Sequence, residues 1–403
     1  MIGWLSLTDE QRRATLEQAS LRSGIQAKAI EKDWWVTLCL KALFNTPYAK
    51  YCIFKGGTSL SKGWKLIRRL SEDIDIALDP QAFGMEYKKE PSHSYVKQLK
   101  RAGCEFTSTK MKEALIASLR ELNIADGTVE VYEEPILSNM PDKDPQTIFV
   151  KYTSLYDPHP YLADDVKMEF GVRSLKEPYN TINVQTLLNE YFPLEIYDES
   201  GFEVVAVDPQ KTLLEKAFLI HEKLLQNSDQ LYQDERQSRH LSDLVQSIDT
   251  NRVSEILSNA ELYNAIVEHR RHYVRLPGIN YDSLHPHILN FVPPVELMDY
   301  FRRDYEKMQE AMIYGESDPF DELMQKIKLL NGRFRLMGTG LVLEDVISNA
   351  VELNRNLLRV DVNIVKLPIQ INLGGEQQIN FTVTMHKVKD GFRFENIGFN
   401  QNE

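Results

Sequence analysis

The chain has 403 residues, with 47 Lys plus Arg against 59 Asp plus Glu and a formal charge of −12. Hydrophobic residues make up 42% and aromatics 10%, enough for a sizeable core and too much for a chain disordered throughout, and the length suggests about two or three domains. The three cysteines (Cys39, Cys52, Cys104) are too scattered for a disulfide framework or a zinc cluster, no uncharged apolar run approaches the ~20 residues of a membrane span, and the acidic total argues against a generic nucleic-acid coat.

The opening residues carry acids at once and no apolar run of the secretory type, so a reducing cytoplasm is the expected compartment. Thr8 with Gln11 has the spacing of a capping box for a first helix. A second helix is expected over Ile25 to Phe44, with Trp34, Trp35 and Leu38 in the core and Asn45-Thr46-Pro47 as its stop. Then the texture changes: Tyr51 to Phe54 reads as a short buried strand, Gly56 to Ser59 as a turn, Leu60 to Ile67 as a helix, and Ser71 to Leu78 as an alternating strand. Helices near 92–102 and 107–122 precede three strand-like runs, Thr128 to Tyr132, Thr147 to Tyr152 and Val166 to Val172. From Pro209 the helical period returns, with Leu213, Leu214, Ala217, His221 and Leu224 on one face. Helices are expected near 234–248, 251–268, 295–313, 319–330 and 341–354, with a Pro- and His-bearing loop over 273–293. The end of the chain alternates as strands, Val360 to Val365, Ile369 to Leu373, Ile379 to Met385 and Phe392 to Ile397, with Gly374-Gly375 and Asp390-Gly391 as hairpin turns. The expected class is α+β: a small mixed-sheet domain over 1–205 flanked by helices, a helical lobe over 206–335, and a helix with an antiparallel β appendage over 336–403.

The informative stretch runs from Phe54-Lys55-Gly56-Gly57-Thr58-Ser59 through Lys62 to Leu70-Ser71-Glu72-Asp73-Ile74-Asp75. Two glycines after a strand let backbone approach an anion closely, and the helix N-terminus that follows offers N–H groups to a phosphate. Thr58 and Ser59 add hydroxyl donors, and Lys55 and Lys62 add positive charge. On the next strand Asp73 and Asp75 share one face while Ile74, Ile76 and Leu78 share the other. Paired carboxylates repel one another unless a cation sits between them, and hard oxygen ligands suit Mg²⁺ holding a triphosphate. A glycine pair or an Asp-x-Asp alone is commonplace; the two in this order, one short helix apart, mark a metal–nucleotide site.

This turn and strand resemble the minimal nucleotidyltransferase core of the DNA polymerase β superfamily. More narrowly, the chain resembles the AbiEii/AbiGii-type nucleotidyltransferase toxins of bacterial toxin–antitoxin and abortive-infection systems. Glu31-Lys32-Asp33-Trp34-Trp35-Val36 resembles the family's N-terminal helix, Lys167-Met168-Glu169-Phe170-Gly171-Val172-Arg173 its third acidic strand, and Leu213-Leu214-Glu215-Lys216 and Arg239-His240-Leu241-Ser242-Asp243 its two C-terminal motifs. The likeness runs from about residue 25 to about residue 330 and leaves out the terminal β segment.

The resemblance implies that Asp73, Asp75 and Glu169 ligate Mg²⁺ or Mn²⁺, and that Lys55, Gly56, Gly57, Thr58, Ser59, Lys62, Arg173, Arg236 and Arg239 meet the NTP. The helical wheel sets Lys211 and Lys216 on opposite flanks of the apolar face and does not choose between them; the family pattern selects Lys216. Asp243, Arg236 and Arg239 fall together opposite the stripe Leu241, Leu244, Val245 and Ile248, as a solvated pair or as a cleft face that orients Lys216. The cluster His269 to Arg275 suits an RNA backbone, and His285 and His287 have metal-like spacing but no companion ligands. The implied activity is transfer of NMP from NTP to an acceptor, the 3′ end of tRNA first and a protein hydroxyl second, with a cognate antitoxin encoded nearby; a catalytically inactive nucleotide- or antitoxin-binding module is the reading from another class.

Overall fold

The computed structural model describes residues 3–159, 162–197, 199–226, 236–247, 252–353, 364–374, 377–388 and 391–399. It is an α+β protein that divides into two compact units. The first comprises Met1–Thr212 with two short returns, His272–Val274 and Ala311–Glu316.

The first unit is organised on one mixed sheet. Its strands are β1 (Cys52–Lys55), β2 (Ile74–Leu78), β3 (Val129–Glu133), β4 (Gln146–Tyr152), β5 (Asp165–Gly171), β6 (Tyr179–Val184) and β7 (Phe202–Val207), in the order β3-β4-β5-β2-β1-β7-β6. β2 and β5 run parallel, as do β1 and β7; the other neighbours are antiparallel. Alternation decides the faces. Phe54, Ile74, Ile76, Met168 and Phe170 are buried in one cluster with Trp34, Trp35 and Leu38 of helix Ala27–Phe44, so the opposite face is left to Lys55, Asp75, Lys167 and Glu169. The aromatic seam continues from Trp4 onto Trp34 at 4.7 Å, and Trp35 stacks on Tyr152 at 4.7 Å. The Thr8–Gln11 capping box forms at the start of helix Asp9–Ser23.

Several elements differ from the sequence expectation. The glycine turn is itself helical: Gly56–Thr58 runs into a wider helical turn over Ser59–Gly63, and the expected helix of Leu60 to Ile67 ends there. Trp64 is drawn aside to donate its indole N–H to Val207 O, and Lys65 takes a left-handed φ of 54°. The two helices expected near 92–102 and 107–122 are one run, His93–Phe106 and Lys112–Glu121 joined by a wide turn at Thr107–Met111. Strands β6 and β7 were not anticipated. In β6 the burial alternation is confined to its last residues, so its pattern is faint. The segment 311–316 closes on 68–70, with Leu70 N donating to Met312 O and Tyr314 N to Arg68 O.

Helix Ala27–Phe44 is unusual in burying charge. Lys28 pairs with Asp164 at 2.7 Å, Glu31 accepts from Ser154 Oγ and Leu155 N, and Lys32 donates to Ala163 O and Asp165 O and lies 3.5 Å from Glu72. Asp33 meets Lys62 Nζ at 2.6 Å and accepts from Leu187 N at 2.7 Å. The helix therefore carries a polar edge that ties the glycine turn and the ends of β2 and β5 to the core.

In the second unit, helices Ser238–Gln246, Arg252–Ser258, Ala260–His269, Met298–Ala311, Phe320–Arg335 and Leu343–Leu353 precede a three-stranded antiparallel sheet, β8 (Ile364–Gly374), β9 (Gln377–Val388) and β10 (Gly391–Phe399), in the order β10-β9-β8. Val365, Leu367, Ile379, Phe381, Val383, Met385 and Ile397 make its core with Leu336 and Leu343. The strands expected over 360–365 and 369–373 are one strand through Pro368, which the edge position of β8 tolerates because an edge strand need not donate on both sides. Residues 360–363 and one residue of each hairpin turn, Gly375 and Asp390, lie outside the described residues. No helix among the described residues is long and apolar enough to cross a membrane.

The Asp33–Lys62 pair is almost wholly buried, so each charge depends on the other. Burial pulls the Lys62 ammonium below the usual lysine range, and the charge and hydrogen bond of Asp33 oppose that pull. Asp33→Ala is expected to cost about 3–5 kcal/mol by stranding a buried cation, while the double variant Asp33→Ala/Lys62→Met should recover a large part. Urea denaturation of the single and double variants measures both; additive losses would show that the pair is not coupled.

Candidate active site

The core-opposed sheet face carries a row of cross-strand neighbours. Lys55 of β1 stands opposite Asp75 of β2, Asp75 opposite Glu169 of β5, and Glu169 opposite Thr147 of β4. Residues in register on adjacent strands project to the same side with Cβ atoms about 5 Å apart. Asp73 stands two residues before Asp75 and so belongs to the same side. The sequence expectation that Asp75 and Glu169 lie on adjacent strands and one face is met.

The glycine turn closes on this row. Gly56 has a φ of +79°, and a Cβ there would lie 2.1 Å from Asp75 Oδ2. Only glycine leaves room for that carboxylate. A Cβ on Gly57 would come 2.5 Å from Arg69 Nη2 and 3.1 Å from Ser71 Oγ, so a guanidinium lies against the second glycine.

The hydroxyls of the turn have internal tasks. Thr58 is buried, and its Oγ1 bonds Ser71 Oγ at 2.8 Å and donates to Asp73 O, pinning the turn to the aspartate strand. Ser59 is buried and donates to Gly56 O at 2.9 Å. Both hydroxyls thus shape the turn. Two further expectations change. Lys62 is held inside by Asp33 and Gln185 O. Arg173 is held by Asp144, with Nε 2.7 Å from its Oδ2, and donates to Asp144 O and Val274 O. Both cations anchor backbone and are taken up by partners that a phosphate would have to displace.

The electrostatics of the row are strained in a useful way. Asp73 is pushed up to about 6, first by burial and then by the charges of Asp75 and Glu72, with Lys167 acting in the opposite direction. Lys167 Nζ lies 2.9 Å from Glu169 Oε1. Burial works against its charge, but the hydrogen bond to Glu169 and the charges of Glu169, Asp73 and Asp75 raise it overall. As the side chains lie, no three His, Cys, Asp or Glu among the described residues are gathered to hold a metal ion. The expected close convergence of Asp73, Asp75 and Glu169 is corrected accordingly: backbone and register bring them to one place, while Glu169 turns to a lysine. The donor set itself, all carboxylate oxygen, fits a hard divalent cation.

In the second unit Lys216 Nζ lies 2.9 Å from Asp243 Oδ2; Lys216 is 7% exposed and Asp243 0%. This excludes a snorkelling surface lysine and a solvated Arg239–Asp243 pair. Lys211 is also buried, so both flanks of helix Pro209–Leu225 are covered. Arg236, at a φ of 63°, donates its backbone N–H to Asp304, which also accepts from Ser238 N and Oγ and so caps helix Ser238–Gln246. Arg239 is half-buried, and its Nε meets no hydrogen-bond partner among the described residues. The basic cluster is largely neutralised: Arg270 forms a two-pronged pair with Glu222, and Arg271 meets Asp282 and Glu268. The Arg270 pair is buried and the Arg271 pairs lie at the surface, so acids near in space offset much of the cluster's charge. The rings of His285 and His287 pack at a tilt of 57°, no companion ligands are gathered around them among the described residues, and His287 Nδ1 bonds Arg335 O.

Sequence reasoning gave no role to Lys167, Asp144, Arg69 or Asp304. Lys167 had a legible signal, a basic residue two before an acid on one strand. The others act across long sequence separations.

A family profile described as Nucleotidyl transferase AbiEii toxin, Type IV TA system, matches residues 38–326, well over half of the chain. The chain belongs to this family of nucleotidyltransferase toxins of type IV toxin–antitoxin systems. No curated protein matches it.

Because the folded state raises Asp73 from 3.8 to about 6, it holds a proton that the unfolded chain has released between those values. The contribution of Asp73 to stability is therefore present at low pH and is lost as pH rises through about 6. Asp73→Asn should remove that loss, so in metal-free buffer the variant should melt roughly 2–4 °C higher than the parent at pH 7.5 and equally at pH 4. Calorimetry at the two pH values checks this; a variant less stable at pH 7.5 would contradict the sign.

Proposed function

We propose that this member of the AbiEii family is a Mg²⁺-dependent enzyme, also served by Mn²⁺, that transfers NMP from NTP to the 3′ end of tRNA and so blocks translation. The observation that carries the reading is the row on one sheet face, with Asp75 opposite Glu169, Asp73 two residues back, and a turn at Gly56 that only glycine can make beside Asp75. Crowding three carboxylates has an electrostatic cost that a pure binding module need not carry, which argues against the inactive alternative. In this reading Asp73, Asp75 and Glu169 hold the cation. The Gly56–Gly57 backbone, with Lys55, Arg236 and Arg239, meets the triphosphate. Lys216 also serves the phosphates, aimed by Asp243 before NTP arrives, so less freedom is lost on binding. A bound divalent cation supplies Lewis acidity at the α-phosphate and neutralises the departing pyrophosphate.

The choice of acceptor rests on the resemblance to nucleotidyltransferase toxins, which implies the 3′ end of tRNA first and a protein hydroxyl second. Incubation with each α-labelled NTP, with and without total tRNA, is expected to label tRNA, and Asp75→Asn should abolish the label while the variant stays folded. Label in protein alone would move the acceptor to a Ser, Thr or Tyr hydroxyl. No label under any condition would leave only the binding module.

The buried pair offers a second check. Lys216→Ala should slow single-turnover transfer by roughly 10²-fold or more, and Asp243→Ala nearly as much, with the double variant well short of the product because the two act as one unit. Full activity of folded Lys216→Ala would remove the lysine from the mechanism.

A further inference from the structure

The strand that supplies Glu169 supplies a cation two residues earlier. On β5, Val166, Met168 and Phe170 are fully buried, which fixes the strand and leaves the partly exposed side chains of Lys167 and Glu169 on the opposite face. Lys167 Nζ sits 2.9 Å from Glu169 Oε1. Its charge also acts on Asp73 and Asp75. The backbone register is right for three carboxylates to meet, yet no three are gathered. Glu169 has an ion-pair partner in the structure, and that partner is Lys167.

We propose that Lys167 is a built-in competitor for the cation of this site: in the nucleotide-free protein it holds Glu169, and it yields that carboxylate when a divalent cation arrives together with a polyphosphate that takes up the ammonium. The inference rests on reading the row as a metal–nucleotide site. An ammonium and a divalent cation cannot share one carboxylate cluster without strong repulsion, so Lys167 must leave when the cation enters. The pair is 36% exposed at lysine and 24% at glutamate, so solvent screens it and exchange is feasible. The four-carbon stem reaches several positions, and a triphosphate offers the negative charge that the ammonium gives up at Glu169. Cation alone then binds weakly, nucleotide strengthens cation binding, and by linkage the cation strengthens nucleotide binding by the same factor. The consequence is a site that does not fill with metal until there is NTP to use.

The test counts bound Mn²⁺ by electron paramagnetic resonance in wild type, Lys167→Met, Lys167→Arg and Asp75→Asn, each with and without an α,β-methylene ATP analogue. Lys167→Met keeps the length of the side chain and removes its charge. Without nucleotide it should bind Mn²⁺ roughly three- to tenfold more tightly than wild type, and Lys167→Arg should stay near wild type. With the analogue the gap should close or reverse, because Lys167→Met has nothing to offer the phosphates. Equal or weaker Mn²⁺ binding by Lys167→Met of native Tm overturns the inference; if that variant does not fold, Lys167→Gln is read by the same criterion. Binding that is lost in Asp75→Asn but unchanged in Lys167→Met keeps the metal site and removes only the competitor. Absence of Mn²⁺ binding in wild type under both conditions sinks the site reading and the inference together.

Discussion

The constraint on which the first unit depends is like-charge repulsion on one sheet face. Asp73 and Asp75 leave the same edge of β2, and parallel pairing with β5 sets Glu169 directly across from Asp75. In a metal-free protein these carboxylates repel one another, and Lys167 offsets only part of that repulsion. Burial and neighbouring carboxylates drive Asp73 far enough up that it titrates near neutrality. A fold that keeps such a face must hold the strands by other means, and most of the unit can be understood as that means.

The restraint comes from the opposite face and from the buried edge of helix Ala27–Phe44. Its aromatic residues press on Ile74, Ile76, Met168 and Phe170, whose alternation forces the acids outward. Its polar residues reach the connections around the strands: Lys32 to Glu72 and the carbonyls leading into β5, Asp33 to Lys62 of the glycine turn. Thr58 closes the loop by bonding the backbone of Asp73 itself. The glycine turn is thus positioned by its side chains, and what it presents to a ligand is backbone. Sequence gives Thr58 and Ser59 the appearance of donors; the fold uses them as fasteners.

Buried ion pairing is equally pervasive in the second unit. Lys216 with Asp243 and Arg270 with Glu222 are both withdrawn from solvent. Such pairs add little net stability over apolar substitutes, since desolvation consumes the Coulombic gain. Their value is in fixing the direction of a charged group, which for Arg270 bears on the course of the chain between helix Ala260–His269 and the loop after it.

Local periodicity made much of this protein legible. The helix of Ala27–Phe44, the capping box at Thr8, the faces of β2 and β5, and the glycine-turn-to-aspartate order follow from residues a few positions apart, because a strand's two-residue repeat and a helix's 3.6-residue repeat are local properties. They sufficed for the α+β class and for placing Asp75 and Glu169 away from the core, while the family was legible in the motifs that resemble it. Strand β6 escaped because its alternation is confined to one end, and the single β8 because Pro368 reads as a break until its edge position is known. What only tertiary structure decided is where each charge goes. Lys62 and Arg173 look as available as Lys55 in sequence, yet Asp33 and Asp144, each 29 positions away, claim them. Lys167 shows in sequence only as a base two before an acid; the fold sets it among three acids. Covalent neighbours determine which way a side chain points; its charge is determined by whatever the fold sets a few ångströms in front of it, and Coulomb's law takes no account of sequence separation.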